Sequence, residues 1–181
     1  MSSPEEFISL FDNWRADKVV SVCFIEQDGK WLFVRPKIRR GIDKSVMSPD
    51  DVAFWEPVGG KIDPGESPME AMRREISEEL NTEVELLEQV GMELANFSDK
   101  FRLTMNIFKG LGLVQAPSES TEVQMAWFDG PERGQMWDSD FDYFDALKSG
   151  QSFRQYSRYD LATNRMKQSA TLPAPVLEVM H

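Results

Sequence analysis

The chain has little of the material from which several protein classes are built. It carries one cysteine and one histidine in 181 residues. A lone thiol closes no intramolecular disulfide, and Cys23 lies in the apolar run Val19-Val20-Ser21-Val22-Cys23-Phe24-Ile25, so it reads as a buried, inert core residue. The histidine, His181, is the last residue, which argues against Ser-His-Asp and Cys-His schemes and against zinc sites built on Cys/His clusters. No stretch approaches the ~18 apolar residues of a transmembrane helix. The start Met1-Ser2-Ser3-Pro4-Glu5-Glu6 lacks the basic segment and apolar core of a signal peptide, so the expected setting is the reducing cytoplasm, away from membrane. Positive charge is also short. Lys and Arg number 20 against 31 Asp and Glu, a net charge of −11. Such a chain repels nucleic-acid backbone and anionic lipid, which argues against duplex binding. A small phosphorylated ligand stays compatible, because divalent cations and local basic residues invert the field where they sit.

What is present is ordinary globular composition, 41% hydrophobic and 28% charged. The length suits one domain over 1–181, able to bury roughly 70% of its unfolded surface without staples. Phe7, Ile8, Leu10, Phe11 and Trp14 recur at helical spacing, which predicts an N-terminal helix over 5–16 within a 1–17 segment. Residues 18–27 and 30–36 read as strands reversed at Asp28-Gly29. Residues 37–53 read as a long polar loop. Further strands are expected over 83–95 and 101–115, broken at Ser98-Asp99-Lys100, and over 123–128, with a helix at 139–148. The C-terminal tail, 150–181, is expected to end irregularly at Pro173 and Pro175. Helices and strands do not alternate regularly, so the expected class is α+β, a mixed sheet flanked by helices.

The informative segment begins at Trp55-Glu56-Pro57-Val58-Gly59-Gly60. Beyond it, Ser67, Pro68 and Glu70 supply an N-cap, a first-turn proline and a capping-box acid for a helix running to Leu80. Met69, Met72, Ile76 and Leu80 make its apolar stripe. Glu75, Glu78 and Glu79 share another face. A solvated face would mix lysines among such acids. Carboxylate oxygens gathered this way suit a hard cation, Mg²⁺ or Mn²⁺, which in turn bridges to phosphates. An ordinary acidic surface helix is the alternative.

Gly60, Glu66 and Arg74-Glu75-Ile76-Ser77-Glu78-Glu79 fall at the spacing G-x5-E-x7-R-E-U-x-E-E-x-G-U, with U apolar, and on these residues the chain is identified as a member of the Nudix superfamily. The late glycine is replaced by Asn81, which tolerates a left-handed C-cap, and the final apolar residue by Thr82, which suits a strand start. The resemblance implies a Nudix α/β/α sandwich that hydrolyses a nucleoside diphosphate linked to another moiety, with Mg²⁺ or Mn²⁺ as cofactor. It implies metal binding by Glu75, Glu78 and Glu79 with a backbone carbonyl of Gly59 or Gly60. Arg74 would orient a glutamate, Glu66 first. The general base would be Glu75 or, from a later loop, Glu119 or Glu122.

Trp55, the run Glu119 to Phe128 and Met136-Trp137-Asp138-Ser139-Asp140 resemble the branch of nucleoside triphosphatases that act on oxidised purines. That resemblance implies that Trp137 stacks on a base while Asp140 reads its edge. The chain has Ser139 and Glu56 at two positions where the branch carries other base readers. Trp137 as a packing aromatic and Asp140 as a helix cap are the plainer alternatives. Arg35, Lys37, Arg39 and Arg40 form a basic set able to grip phosphates. The resulting expectation is a small-molecule nucleotide substrate, foremost a nucleoside triphosphate, oxidised ones included, cleaved to monophosphate and pyrophosphate. A nucleoside diphosphate sugar or ADP-ribose is the rival, for which the long loop and tail would serve a homodimer. A nucleotide-sensing module without catalysis is the non-enzymatic alternative.

Overall fold

The computed structural model describes residues 4–36, 54–160, 162–163 and 165–173. The expected loop 37–53, Lys37, Arg39, Arg40 and His181 lie outside them. Strands β1 (Lys18–Gln27) and β2 (Lys30–Pro36) pair antiparallel through Asp28-Gly29, whose φ angles of 53° and 76° give the reversal that matches strand twist. β3 (Val58–Lys61) pairs with the first half of β1. β5 (Phe101–Leu113) runs parallel to β1, and β4 (Val84–Phe97) joins β5 through the Ser98–Lys100 turn. β6 (Val123–Phe128) covers the edge of β2. β7 (Phe153–Asp160) and β8 (Arg165–Pro173) complete a mixed sheet in the order β6-β2-β1-β5-β4-β7-β8, with β3 on β1.

Successive strand residues point to opposite faces, and both faces are covered. Helix α2 (Pro68–Leu80) lays Met72, Ile76 and Leu80 on Cys23, Ile25, Leu32 and Phe108. Helix α3 (Asp138–Ser149) lays Tyr143, Phe144 and Leu147 on Phe24, Phe33, Ile107 and Phe153 on the other face. Helix α1 (Pro4–Asn13) seats Phe7, with Leu10 and Phe11, against Leu94 and Tyr156. Just beyond it, Trp14 Nε1 donates to Thr104 Oγ1 at 3.1 Å, which puts α1 on the α2 side. The expected helix–sheet–helix sandwich is the fold. Cys23 is buried and burial pushes its thiol well up, as an inert core residue requires.

Within the C-terminal tail the sequence assigned no elements, and residues 153–173 form the β7–β8 hairpin, with β7 inside the sheet parallel to β4. The end beyond Pro173 lies outside the described residues. Gln155 and Ser157 point inward and are fully buried, so the stretch shows no clean apolar pattern. Pro173 is tolerated because it closes a strand at the sheet edge. Thr82, read as a strand start, precedes its strand by two residues, with its hydroxyl donating to Gln115 O at 2.9 Å.

A register shift between Gln89 and Gly91 interrupts the β4–β5 ladder. Leu87, ahead of it, packs on the α2 side; beyond it Glu93 pairs with Met105, which packs on the α3 side. A Cβ at Gly91 would run into the Phe153 ring, so the bulge needs glycine.

Candidate active site

Helix α2 is fixed at both ends by its own sequence. Ser67 Oγ accepts from Glu70 N at 3.3 Å, and Glu70 Oε2 accepts from Ser67 N at 2.8 Å, the reciprocal cap predicted above. Asn81 takes the left-handed conformation, φ 53°, and its N–H donates to Ser77 O, so the departure from glycine keeps the cap. Its amide also donates to Ser118 Oγ at 3.1 Å. That tie brings the segment carrying Glu119 to the C-terminal end of α2, where Glu78 and Glu79 lie. Glu119 Oε1 there accepts from Met125 N at 3.3 Å.

Arg74 gathers the box. It grips Glu66 with two hydrogen bonds, Nε to Oε1 at 2.8 Å and Nη2 to Oε2 at 3.0 Å. Nη2 also donates to Lys61 O at 2.9 Å, while Nη1 donates to Glu75 at 2.8 Å and to Glu78 at 3.1 Å. The Arg74 hydrogen bonds, with one from Asp63 N, hold the Glu66 carboxyl down at about 2. The same partners raise Arg74 further above its already high range.

Glu75 and Glu79 reach the Gly59–Gly60 backbone. Gly59 N donates to Glu79 Oε2 at 3.3 Å. A Cβ at Gly60 would collide with the Glu75 carboxylate, and one at Gly59 with Ser21 O on β1, so both glycines are needed for close approach. Glu75 is the sheltered member, its side chain 11% exposed, whereas Glu78 is 53% exposed. Among the described residues, no three acids already converge as a ready ligand set. Arg74 holds Glu75 and Glu78 while Glu79 faces Gly59. The chemistry of the donors nonetheless fits a hard divalent cation: carboxylates from one helix face around a side-chain-free backbone.

On the α3 face lies an aromatic cluster. The Trp137 ring meets Phe54 at 5.2 Å, Tyr159 at 5.6 Å and Phe97 at 6.4 Å, and its Nε1 donates to Glu56 Oε1 at 3.1 Å. Burial raises the Glu56 carboxyl, while the Trp137 bond and Lys18 oppose the rise. Asp140 does not cap α3, whose N-cap is Trp137 without a side-chain cap bond. Instead Asp140 is buried and accepts from the Tyr143 hydroxyl at 2.8 Å; burial raises it well above the usual carboxylate range. The Arg35 guanidinium lies 4.2 Å from the Trp55 ring centre, a cation–π contact. Two residues near the site escape a reading of the sequence. Lys18 is within electrostatic reach of both Glu56 and Glu75, and burial followed by the Lys61 charge lowers it. Glu93 is buried beneath α3. A charged residue inside a strand that otherwise reads as core was the available signal for Glu93; nothing marked Lys18.

The NUDIX domain family matches residues 15–161 of the chain. The chain belongs to the Nudix family. The hydrolase reading of the box therefore stands, and this family in general uses divalent metal ions. Among curated proteins, the chain is similar to an oxidized purine nucleoside triphosphate hydrolase of Danio rerio, 28% identical over 145 residues, covering 78% of this chain and 86% of the relative. Among solved structures, it resembles a mutator MutT protein from Bacillus halodurans, TM-score 0.69 at 22% identity, covering 87% of this chain and 99% of that one. A MutT Nudix hydrolase from Burkholderia pseudomallei matches with TM-score 0.57 at 18% identity, covering 71% and 95%. These likenesses carry the Nudix fold. No described helix is long and apolar enough to cross a membrane.

Proposed function

We propose that this Nudix protein hydrolyses a nucleoside triphosphate, oxidised purine nucleotides included, to the monophosphate and pyrophosphate, with Mg²⁺ or Mn²⁺. The observation that carries the reading is the meeting of Glu75 and Glu79 at Gly59–Gly60, with Arg74 joining Glu66, Glu75 and Glu78. Glu75, Glu78 and Glu79 would hold the metal, with the Gly60 carbonyl as a further oxygen donor. When bound, the metal neutralises the phosphate chain and acidifies the attacking water.

The chain supplies the rest. Arg74 fixes the rotamers of Glu66 and Glu75, so the acids are in place before substrate arrives. Glu75 takes the proton of the attacking water; Glu119, brought to the end of α2, is the other group able to do so. The water oxygen bonds to phosphorus, and the bridging oxygen leaves with the pyrophosphate. Trp137 and Glu56 hold the base on the α3 face, and Asp140 reads its edge. Arg35 and Lys37 hold phosphates. Lys18, within electrostatic reach of both Glu56 and Glu75, would bind the phosphate chain between base and box. The Danio rerio relative's printed activity on oxidized purine nucleoside triphosphates supports this choice of substrate class.

A side-by-side assay of deoxynucleoside triphosphates, their oxidised forms, ADP-ribose and UDP- or GDP-sugars tests it, with chelated and magnesium-supplied protein in parallel. Magnesium-dependent release of pyrophosphate from triphosphates is expected. Turnover of diphosphate-linked sugars alone would overturn the substrate, and nucleotide binding without any turnover would make the chain a sensor. Glu75→Gln and Glu119→Gln compared on the best substrate assign the base.

A further inference from the structure

On the α3 side of the sheet the fold buries an acid that the proposed reaction does not use. The β4 bulge turns Glu93 toward α3, in register with Met105 on β5 and Gln155 on β7. Glu93 is 0% exposed, and neither carboxyl oxygen has a hydrogen-bond partner among the described residues. Asp140, 3% exposed, spends Oδ1 on the Tyr143 hydroxyl and leaves Oδ2 without a partner. Tyr159 ties this layer to the aromatic cluster, since its hydroxyl accepts from Ser139 N at 3.1 Å while its ring meets Trp137. The Ser139 and Ser157 hydroxyls neighbour Glu93 without well-formed bonds to it.

The titratable groups facing this pair are themselves acidic: Asp142 and Tyr143 from α3, Tyr159 from β7 and Glu56 from the segment before β3. Burial resists the ionisation of both carboxyls, and the Glu93 charge, once formed, raises Asp140 further. Burial raises Glu93 to about 7 and raises Asp140 in the same direction.

Resting on the proposed base site, we infer that Glu93 is a positioning residue for nucleobase recognition: paired with Asp140, it keeps Asp140 able to present a proton to the base edge. A protonated carboxyl donates through one oxygen and accepts through the other. It therefore fits a base edge that offers an acceptor beside a donor, such as the C=O and N–H of a lactam. Loss of that proton leaves only acceptors and weakens binding.

Glu93→Gln in the full chain with magnesium tests this on the triphosphate turned over fastest in the panel above. In the unaltered protein KM rises about tenfold per pH unit above the pair's upper titration. Removing the Glu93 acid lets Asp140 ionise more easily, so in Glu93→Gln that rise begins at least about one pH unit lower while kcat at saturation is unchanged. An unaltered KM–pH profile would overturn the inference. Carbon-13 NMR of the Glu93 carboxyl provides a readout independent of turnover and of the folding of Glu93→Gln. Its midpoint lies at about 7. Above that midpoint the Glu93 resonance shows a second inflection as Asp140 ionises, which Asp140→Asn removes; a single inflection in the unaltered protein refutes the coupling. Trp137→Ala separates the two levels. A raised KM there, with an unchanged Glu93→Gln profile, sinks the acid pair alone. An unchanged KM in Trp137→Ala removes the base site and the acid pair with it.

Discussion

Arg74 shows how much one planar cation arranges. Its fork holds Glu66 with two parallel bonds, while the third nitrogen spans Glu75 and Glu78. Lysine keeps the charge and loses the fork. Arg74→Lys is expected to lower kcat about 10- to 100-fold with little change in the thermal midpoint, as steady-state kinetics and melting will show. Glu93 makes a separate prediction about stability. Its folded pKa of about 7 stands above the ordinary carboxyl range, so the unfolded chain releases this proton at lower pH than the folded one. Stability is therefore highest below about pH 5 with respect to this group, and falls as pH rises toward 8. Urea unfolding at those two pH values should show Glu93→Gln removing a decline on the order of 2–3 kcal/mol. Glu66 acts in the opposite sense: its lowered pKa contributes stability above about pH 4.5 that is lost as pH falls toward 2.

Among the elements, α2 is specified almost entirely by its own residues. Ser67→Ala removes one half of the reciprocal cap, and urea titration should record a loss of about 1 kcal/mol. The stripe and the acid face of α2 were legible because both follow the helical period. The β1–β2 hairpin was legible because Asp28-Gly29 accepts positive φ at both positions. The β7–β8 hairpin was hidden. Its inward positions include Gln155 and Ser157, whose burial is compensated by contacts with distant residues such as Asp142 on α3 and Thr171 on β8. Local periodicity carries no record of such compensation.

For the whole molecule, the sheet keeps two working surfaces apart and joins them at one end. The box helix lies on one face and the aromatic cluster on the other, and Lys18 at the start of β1 is within electrostatic reach of Glu56 and Glu75 together. Both faces are held by packed apolar clusters, so the fold does not depend on a metal for its core. Chelation should abolish turnover with little loss of far-UV dichroism. Magnesium at about 100 times its Kd should then raise unfolding free energy by about 2.7 kcal/mol, measurable as a shift in the denaturant midpoint.

The sequence by itself determined the family, the helix that carries the acids and the need for two glycines. Each of these is written in spacing along a short stretch of chain, and spacing on a helix or turn converts directly into geometry. Only the tertiary structure decided that Glu56 accepts the Trp137 indole hydrogen bond, that Lys18 comes within electrostatic reach of Glu75, and that Glu93 is buried on the α3 side of the sheet. Those relations join residues far apart in the chain through strand order and a single bulge. Burial, which sets the protonation of these acids, exists only once the sheet and α3 have closed over them.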